Sequence, residues 1–220
     1  VQRLPSLLNS VQALLDEKPT RRFILTGSSA RKLKRGGANL LPGRIILEHL
    51  DPLSFWELQD LFDLDKVLHR GSLPGIYLDE LSGLDVLDSY VKLYLREEIQ
   101  AEAITKNIGA YARFLDLAAL LSGQWINYSK VASDSEIAKE TVRRYFSILE
   151  DTLIAHRVPA FRPRRSQRRT SQRDKFVFFD LGVRNAVLGI HQNTLTDTEL
   201  GSLFEQWFFL QCLSYIHSFH

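Results

Sequence analysis

The sequence contains no methionine and a single cysteine, Cys212. One thiol excludes an intrachain disulfide framework and any cysteine-based zinc site, and it fits a reducing compartment. No uncharged apolar stretch of about 18 residues occurs, so no membrane-spanning helix is expected. The nearest, 200–219, carries Glu205 and several polar side chains. A secretory signal pattern is absent too, and a cytoplasmic protein with no membrane partner is the expectation. Also missing is any G-x-x-x-x-G-K-[ST] segment. Without a glycine-rich turn and its lysine, these residues have nothing to cradle nucleotide phosphates. Ile76-Tyr77-Leu78-Asp79-Glu80 and 176–180 imitate a magnesium-binding strand, but neither follows a phosphate-binding loop. The lack of Met and of that loop together point to an internal or processed piece of a longer protein.

What is present suffices for a folded chain. With 220 residues and 45% hydrophobic content, it can bury a substantial core in one or two domains. The net charge of +2 hides a lengthwise asymmetry. Residues 51–103 hold twelve acidic against four basic side chains, and 139–175 hold eleven basic against four acidic. Either the basic part meets a polyanion, or the two segments meet each other.

Leu4, Leu7, Leu8, Val11, Leu14 and Leu15 recur at helical spacing behind Pro5, predicting an amphipathic helix. Phe23-Ile24-Leu25 then breaks into Thr26-Gly27-Ser28-Ser29, the pattern of a buried parallel strand delivering small polar residues to a sheet edge. A short helix at 30–34 and a second apolar run, Ile45-Ile46-Leu47, follow. Ser54-Phe55-Trp56-Glu57 has the spacing of a capping box, so a helix starts near Phe55. Helix, strand, helix, strand implies a parallel sheet covered by helices.

Residues 22–58, with their Leu25-Thr26-Gly27-Ser28-Ser29 strand, Gly43-Arg44 pair and Pro52-Leu53-Ser54-Phe55-x-Glu57 segment, resemble the prokaryotic AAA-type P-loop ATPases that carry the C-terminal domain of unknown function 4143. Val1-Gln2-Arg3-Leu4-Pro5 is similar to the residues just after that family's magnesium-binding Asp-Glu pair. The resemblance implies the C-terminal part of an α/β ATPase core at 1–58, with ATP and Mg2+ as cofactors of the intact protein. It gives Thr26, with Ser28 nearby, the place of a sensor of the γ-phosphate or attacking water. Arg44 takes the place of the arginine that reaches a neighbouring subunit's γ-phosphate. From the residues alone, Thr26 beside a helix cap and Arg44 in a local salt bridge are equally open.

Leu84, Leu87, Val91, Tyr94, Leu95 and Ile99 predict a helix over 85–103, within a helical lid or linker at 59–106. Glu97 and Glu98 are adjacent, point about 100 degrees apart on a helix, and so form no carboxylate dyad. From 107 to 160 the pattern reads as a winged helix-turn-helix, with helices at 112–121, 129–133 and 140–151, a short strand at 125–128 and a first wing strand at 153–158. Val131, Ala132, Ile137, Val142, Tyr145, Phe146 and Leu149 are its expected core. Lys139, Thr141, Arg143 and Arg144 sit at the start of the third helix, the part that contacts bases when such a module enters a major groove. Packing against an ATPase core or mediating assembly is the competing role.

The last stretch, 161–220, begins with six arginines and no acid over 161–173, among them Arg164, Arg165, Arg168 and Arg169. Such a loop binds any nucleic acid backbone, or simply keeps a surface soluble. Phe176-Val177-Phe178-Phe179-Asp180-Leu181-Gly182 reads as a buried strand and turn, and Gly201-Ser202-Leu203-Phe204-Glu205 opens a final helix. Both resemble signatures of that family's C-terminal domain, which implies the start of an α/β restriction-endonuclease-like domain with Glu205 as a first acidic metal ligand. One carboxylate cannot hold a catalytic magnesium ion, so no complete nuclease site is expected. The histidines, His191, His217 and His220 included, show no zinc spacing and read as surface residues. Two functions follow: part of an ATPase coupling nucleotide state to a winged helix that meets DNA, a protein partner or a second copy; or a non-catalytic DNA-binding or protein-interaction module.

Overall fold

Leu7, Leu8, Val11 and Leu15 lie on one stripe, and the chain forms helix α1 there, Leu7–Glu17. The computed structural model describes residues 7–26, 46, 48–79, 83–95, 108–160 and 174–219. They divide into two compact units, 1–48 with 151–153, and 49–150 with 154–220. In the first unit Leu8 and Val11 pack with Leu15 and Leu25. Arg21 donates to the Leu14 carbonyl (3.0 Å) near the C-terminal end of α1.

The strand expected at 23–25 is not formed: residues 21–26 belong to no strand, and Ile24 is 94% exposed. An apolar run supplies propensity, but a strand is made by ladder hydrogen bonds. Among the described residues no strand pairs with it. The helix expected at 30–34 falls outside the described residues. Ile46, the described member of the second apolar run, is exposed outside any strand.

The second unit is mostly helical with a two-stranded sheet. Its first helix, α2 (Phe55–Leu58), starts at the expected capping box, where the Ser54 N–H donates to Glu57 Oε2 (2.8 Å) and the Glu57 N–H to Ser54 Oγ (3.3 Å). A 3-10 turn, Gln59–Leu61, continues it. Helices α3 (Leu64–Arg70, capped by Asp63), α4 (Pro74–Tyr77) and α5 (Gly83–Ser89) follow. The helix expected over 85–103 thus begins at Gly83 and widens into a π-helical stretch, Tyr90–Leu95. Glu97 and Glu98 lie outside the described residues.

Three helices come next: α6 (Ile108–Leu120), α7 (Tyr128–Ser135, capped by Asn127) and α8 (Lys139–Asp151). Strands β1 (Ala155–Val158) and β2 (Lys175–Phe178) pair antiparallel, with Ala155 opposite Phe178 and Val158 opposite Lys175. The expected strand at 125–128 is reduced to one bridge, Trp125 to Lys175. Its length is limited because Asn127 already turns to cap α7. The core runs through all of these. Phe114 and Phe146 meet edge to face at 4.9 Å, Phe146 and Phe176 lie 4.6 Å apart, and Val142, Leu149 and Ile126 fill the gaps. Of the expected core residues, Val131, Val142, Tyr145, Phe146 and Leu149 are buried, while Ala132 and Ile137 are partly so.

Helix α9 (Leu181–Val187) follows β2 directly, and α10 runs from Asp197 to Phe219. The final helix therefore starts four residues before Gly201. Thr196 and Glu199 form its capping box, with the Thr196 N–H donating to Glu199 Oε2 (2.8 Å) and the Glu199 N–H to Thr196 Oγ1 (3.4 Å). Among the described residues no helix is long and apolar enough to cross a membrane.

Candidate functional site

Of the three residues placed in a nucleotide site by resemblance, Thr26 is exposed, and Ser28 and Arg44 lie outside the described residues. The basic residues are better defined. Helix α8 turns Val142, Tyr145, Phe146 and Leu149 inward, which leaves Lys139, Arg143 and Arg144 on the exposed side and Thr141 half-buried. Lys139 and Arg143, four apart, share a stripe, and Arg144 lies one step round the helix. The Arg143 guanidinium sits 5.4 Å over the Tyr128 ring and 3.9 Å from Glu140, and that of Arg144 sits 5.9 Å over Tyr145. Rings hold both forks near the α8 surface, where spare N–H donors suit phosphate oxygens, although Glu140 cancels part of the charge. Arg164, Arg165, Arg168 and Arg169 lie outside the described residues.

A second constellation was read differently from sequence. The turn after β2 folds back on the end of α3, and Asp180 is its pivot. Its carboxylate, 2% exposed, caps α9 by accepting from the Val183 N–H (2.9 Å) and also accepts from the Ser72 N–H (2.8 Å). Burial pushes this carboxyl up to about 6, against those backbone donors. Gly182 lets the turn approach the carbonyl of Arg70, and Gly71, at φ +72, faces the Asp180 carboxylate. Asn185 donates to the carbonyls of Leu68 (2.9 Å) and His69 (3.0 Å), satisfying the end of α3. Arg184 reaches the Ala119 carbonyl (3.1 Å) and Asn185 Oδ1 (2.9 Å). Asp180-Leu181-Gly182 thus forms a clasp between α3 and α9.

Beside the clasp is a cleft lined by Asp51, Ser72, His156, Asp180, Trp207 and Ser214, with a cavity of about 20 Å³, room for a water molecule. His217 Nδ1 stands 2.7 Å from Asp51 Oδ2, and the His49 ring stacks on His217 at 4.1 Å. Burial lowers the pKa of His156 there. His217 is half-buried, and His191 is buried with Nε2 3.3 Å from Asp88 Oδ1, so neither is the surface histidine expected. Each finds a carboxylate far away in sequence, which local spacing does not reveal. Among the described residues no group of three or more His, Cys, Asp or Glu stands where it could hold a metal ion, and Glu205 is exposed on α10.

A family model for a domain of unknown function (DUF8612) matches residues 61–194, more than half of the chain. The chain belongs to the DUF8612 family. A second model, an AAA domain, matches residues 1–59, which makes the N-terminal part an AAA-type ATPase-like region. No curated protein and no solved structure matches the chain. The DUF8612 description specifies no activity. Within this DUF8612 member, Thr26, Ser28 and Arg44 fall in the AAA-type region, while the α8 surface and the Asp180 clasp fall in the DUF8612 region. The AAA match ends one residue after α2, and the DUF8612 match ends before α10.

Proposed function

We propose that this chain is part of an AAA-type ATPase in which a helical module, laid out as a winged helix, responds to nucleotide state. The observation that carries this is the AAA-domain match over 1–59, the segment that also holds Thr26, Gly43-Arg44 and the PLSF capping box. By its motifs it shares the layout of AAA-type ATPases with C-terminal domain 4143. The DUF8612 region supports the coupled module through its order of helix, bridge, helix, helix and hairpin. The residues present do not fit a nucleotide by themselves. One exposed threonine and a guanidinium give no phosphate cradle, and the cleft beside Asp180, to which the AAA-type region contributes Asp51 and Pro52, has room for a water molecule and not for a nucleotide. ATP and Mg2+ are therefore assigned to the intact ATPase, whose glycine-rich loop and Asp-Glu pair are not among these 220 residues. Thr26 and Arg44 are then polar contacts to a γ-phosphate held elsewhere. Titrating a fluorescent ATP analogue tests this: the protein with its native upstream sequence binds in the presence of Mg2+, and the present chain does not. Failure of the longer protein to bind overturns the proposal.

Lys139, Arg143 and Arg144, exposed together on α8, favour duplex DNA as a second function, independent of ATP. Duplex binding by the present chain is expected to weaken steeply with salt, and changing Arg143 and Arg144 to Ala is expected to reduce the log–log salt slope by about 2. Fluorescence anisotropy with a labelled duplex reads both. An unchanged slope in the double variant removes α8 from the interface.

A further inference from the structure

The second unit leaves aromatic surface uncovered. Phe55, Phe62, Trp207 and Phe204 form a chain of ring contacts from α2 to α10, each 4.9 to 5.6 Å from the next. Gln211 pins the two elements together by accepting from the Phe55 N–H at 2.7 Å. Trp56, whose ring meets Phe55 edge on at 5.4 Å, is 66% exposed, Leu61 in the following turn 67%, and on α10 Phe204 is 44% and Phe208, one turn further on, 59% exposed. Scattered exposed apolar residues are ordinary, but a contiguous aromatic surface marks an interaction site.

Its rim is acidic. Asp60 and Glu205 are exposed beside Leu61 and Phe204, and an open groove of about 430 Å³ next to Leu61 is lined by Asp60 and Asp63, with Lys66 offsetting part of that charge. Rings ringed by carboxylates suit a cation that is also flat: a guanidinium stacks on an aromatic face while its edge donates to carboxylate oxygens. The molecule already uses such contacts, with Arg143 over Tyr128, Arg144 over Tyr145, Lys66 over Tyr77 and Lys175 over Trp125. Among the described residues no Lys or Arg lies over Trp56 or Phe208.

We infer that this aromatic, acid-rimmed surface of α2 and α10 is an interface that receives the arginine-rich segment 161–173 of a second copy of the chain. That segment has six arginines and no acid, and Asp60, Asp63 and Glu205 are the exposed carboxylates at or next to the receiving surface. Charge complementarity selects polypeptide here, since carboxylates repel a nucleic acid. One patch accepting a different segment is a heterologous contact, so copies join head to tail. The proposal needs neither ATP nor DNA and stands or falls apart from them.

Two variants test it by sedimentation velocity. One changes Trp56 and Phe208 to Ser, both exposed and outside the core. The other changes Arg164, Arg165, Arg168 and Arg169 to Ser. The unaltered chain is expected to self-associate with concentration, at least about tenfold more weakly at about 0.5 M salt than at low salt. Each variant alone is expected to remain monomeric, with an unchanged circular dichroism spectrum. Mixed together they are expected to form a one-to-one dimer, because each retains the surface the other lacks. A monomeric unaltered chain, or association that survives either variant, overturns the proposal, as does a mixture that stays monomeric. Loss of duplex binding with unaltered self-association in the arginine variant would assign that segment to DNA instead.

Discussion

Gly182→Ala is expected to destabilise the second unit by about 3 kcal/mol or more, at the upper end of what overpacking costs. A Cβ at position 182 would stand 1.9 Å from the Arg70 carbonyl oxygen and 2.3 Å from its carbon. Both are backbone atoms at the end of α3, so no side-chain rotation relieves the clash, and α9 must move off α3. That movement breaks the Asn185 bonds to Leu68 and His69 and the Asp180 bond to Ser72. Gly201→Ala is the control, since its Cβ meets nothing within 4 Å on an exposed helical face. It should leave stability unchanged or raise it by up to about 1 kcal/mol, because alanine is the better helix former. Urea unfolding midpoints separate the two. Equal midpoints for Gly182→Ala and the unaltered chain would mean that α9 and α3 do not meet through their backbones.

Asp180→Ala is expected to cost about 4 kcal/mol, since it removes a helix cap and leaves the N–H groups of Ser72 and Val183 buried without an acceptor. Asp180→Asn keeps one acceptor oxygen and should cost less, and it tests the pH dependence. The folded-state pKa of Asp180, about 6, lies above the ordinary value of 3.8. A raised acid binds its proton more tightly when folded, so its contribution to stability is full below 3.8 and is lost as pH rises through 6. From the linkage constant that loss is on the order of 3 kcal/mol. His156, lowered by burial, acts the opposite way, adding stability above its unfolded pKa and losing it as pH falls. The difference between the unaltered chain and Asp180→Asn isolates the carboxylate. It should shift in favour of the asparagine variant as pH rises from about 4 to about 7, and a constant difference would contradict the assignment.

Local signals in the sequence were mostly honoured. The Ser54 capping box, the α1 stripe and the limits of α6, α7 and α8 to within a few residues all follow from caps and 3.6-residue periodicity, which depend only on neighbours. The start of α10 is equally legible in Thr196-x-x-Glu199, a second capping box, whereas Gly201 carries no start signal of its own. What failed needed a distant partner. Phe23-Ile24-Leu25 has the composition of a buried strand, yet composition cannot provide a ladder. His191 and His217 have no ligand spacing, yet Asp88 and Asp51 reach them across the fold. The phrase Phe179-Asp180-Leu181-Gly182 was visible as a motif, while its purpose, to receive the backbone end of α3, could be seen only with both segments in place.

The most direct measurement is ATP turnover by the protein with its native upstream sequence, unaltered and with Arg44→Ala. An AAA-type ATPase in which Arg44 meets a neighbour's γ-phosphate predicts ATP binding in both and turnover lost in the variant by about a hundredfold or more. Unchanged turnover in the variant, or no ATP bound by the unaltered protein, would contradict it.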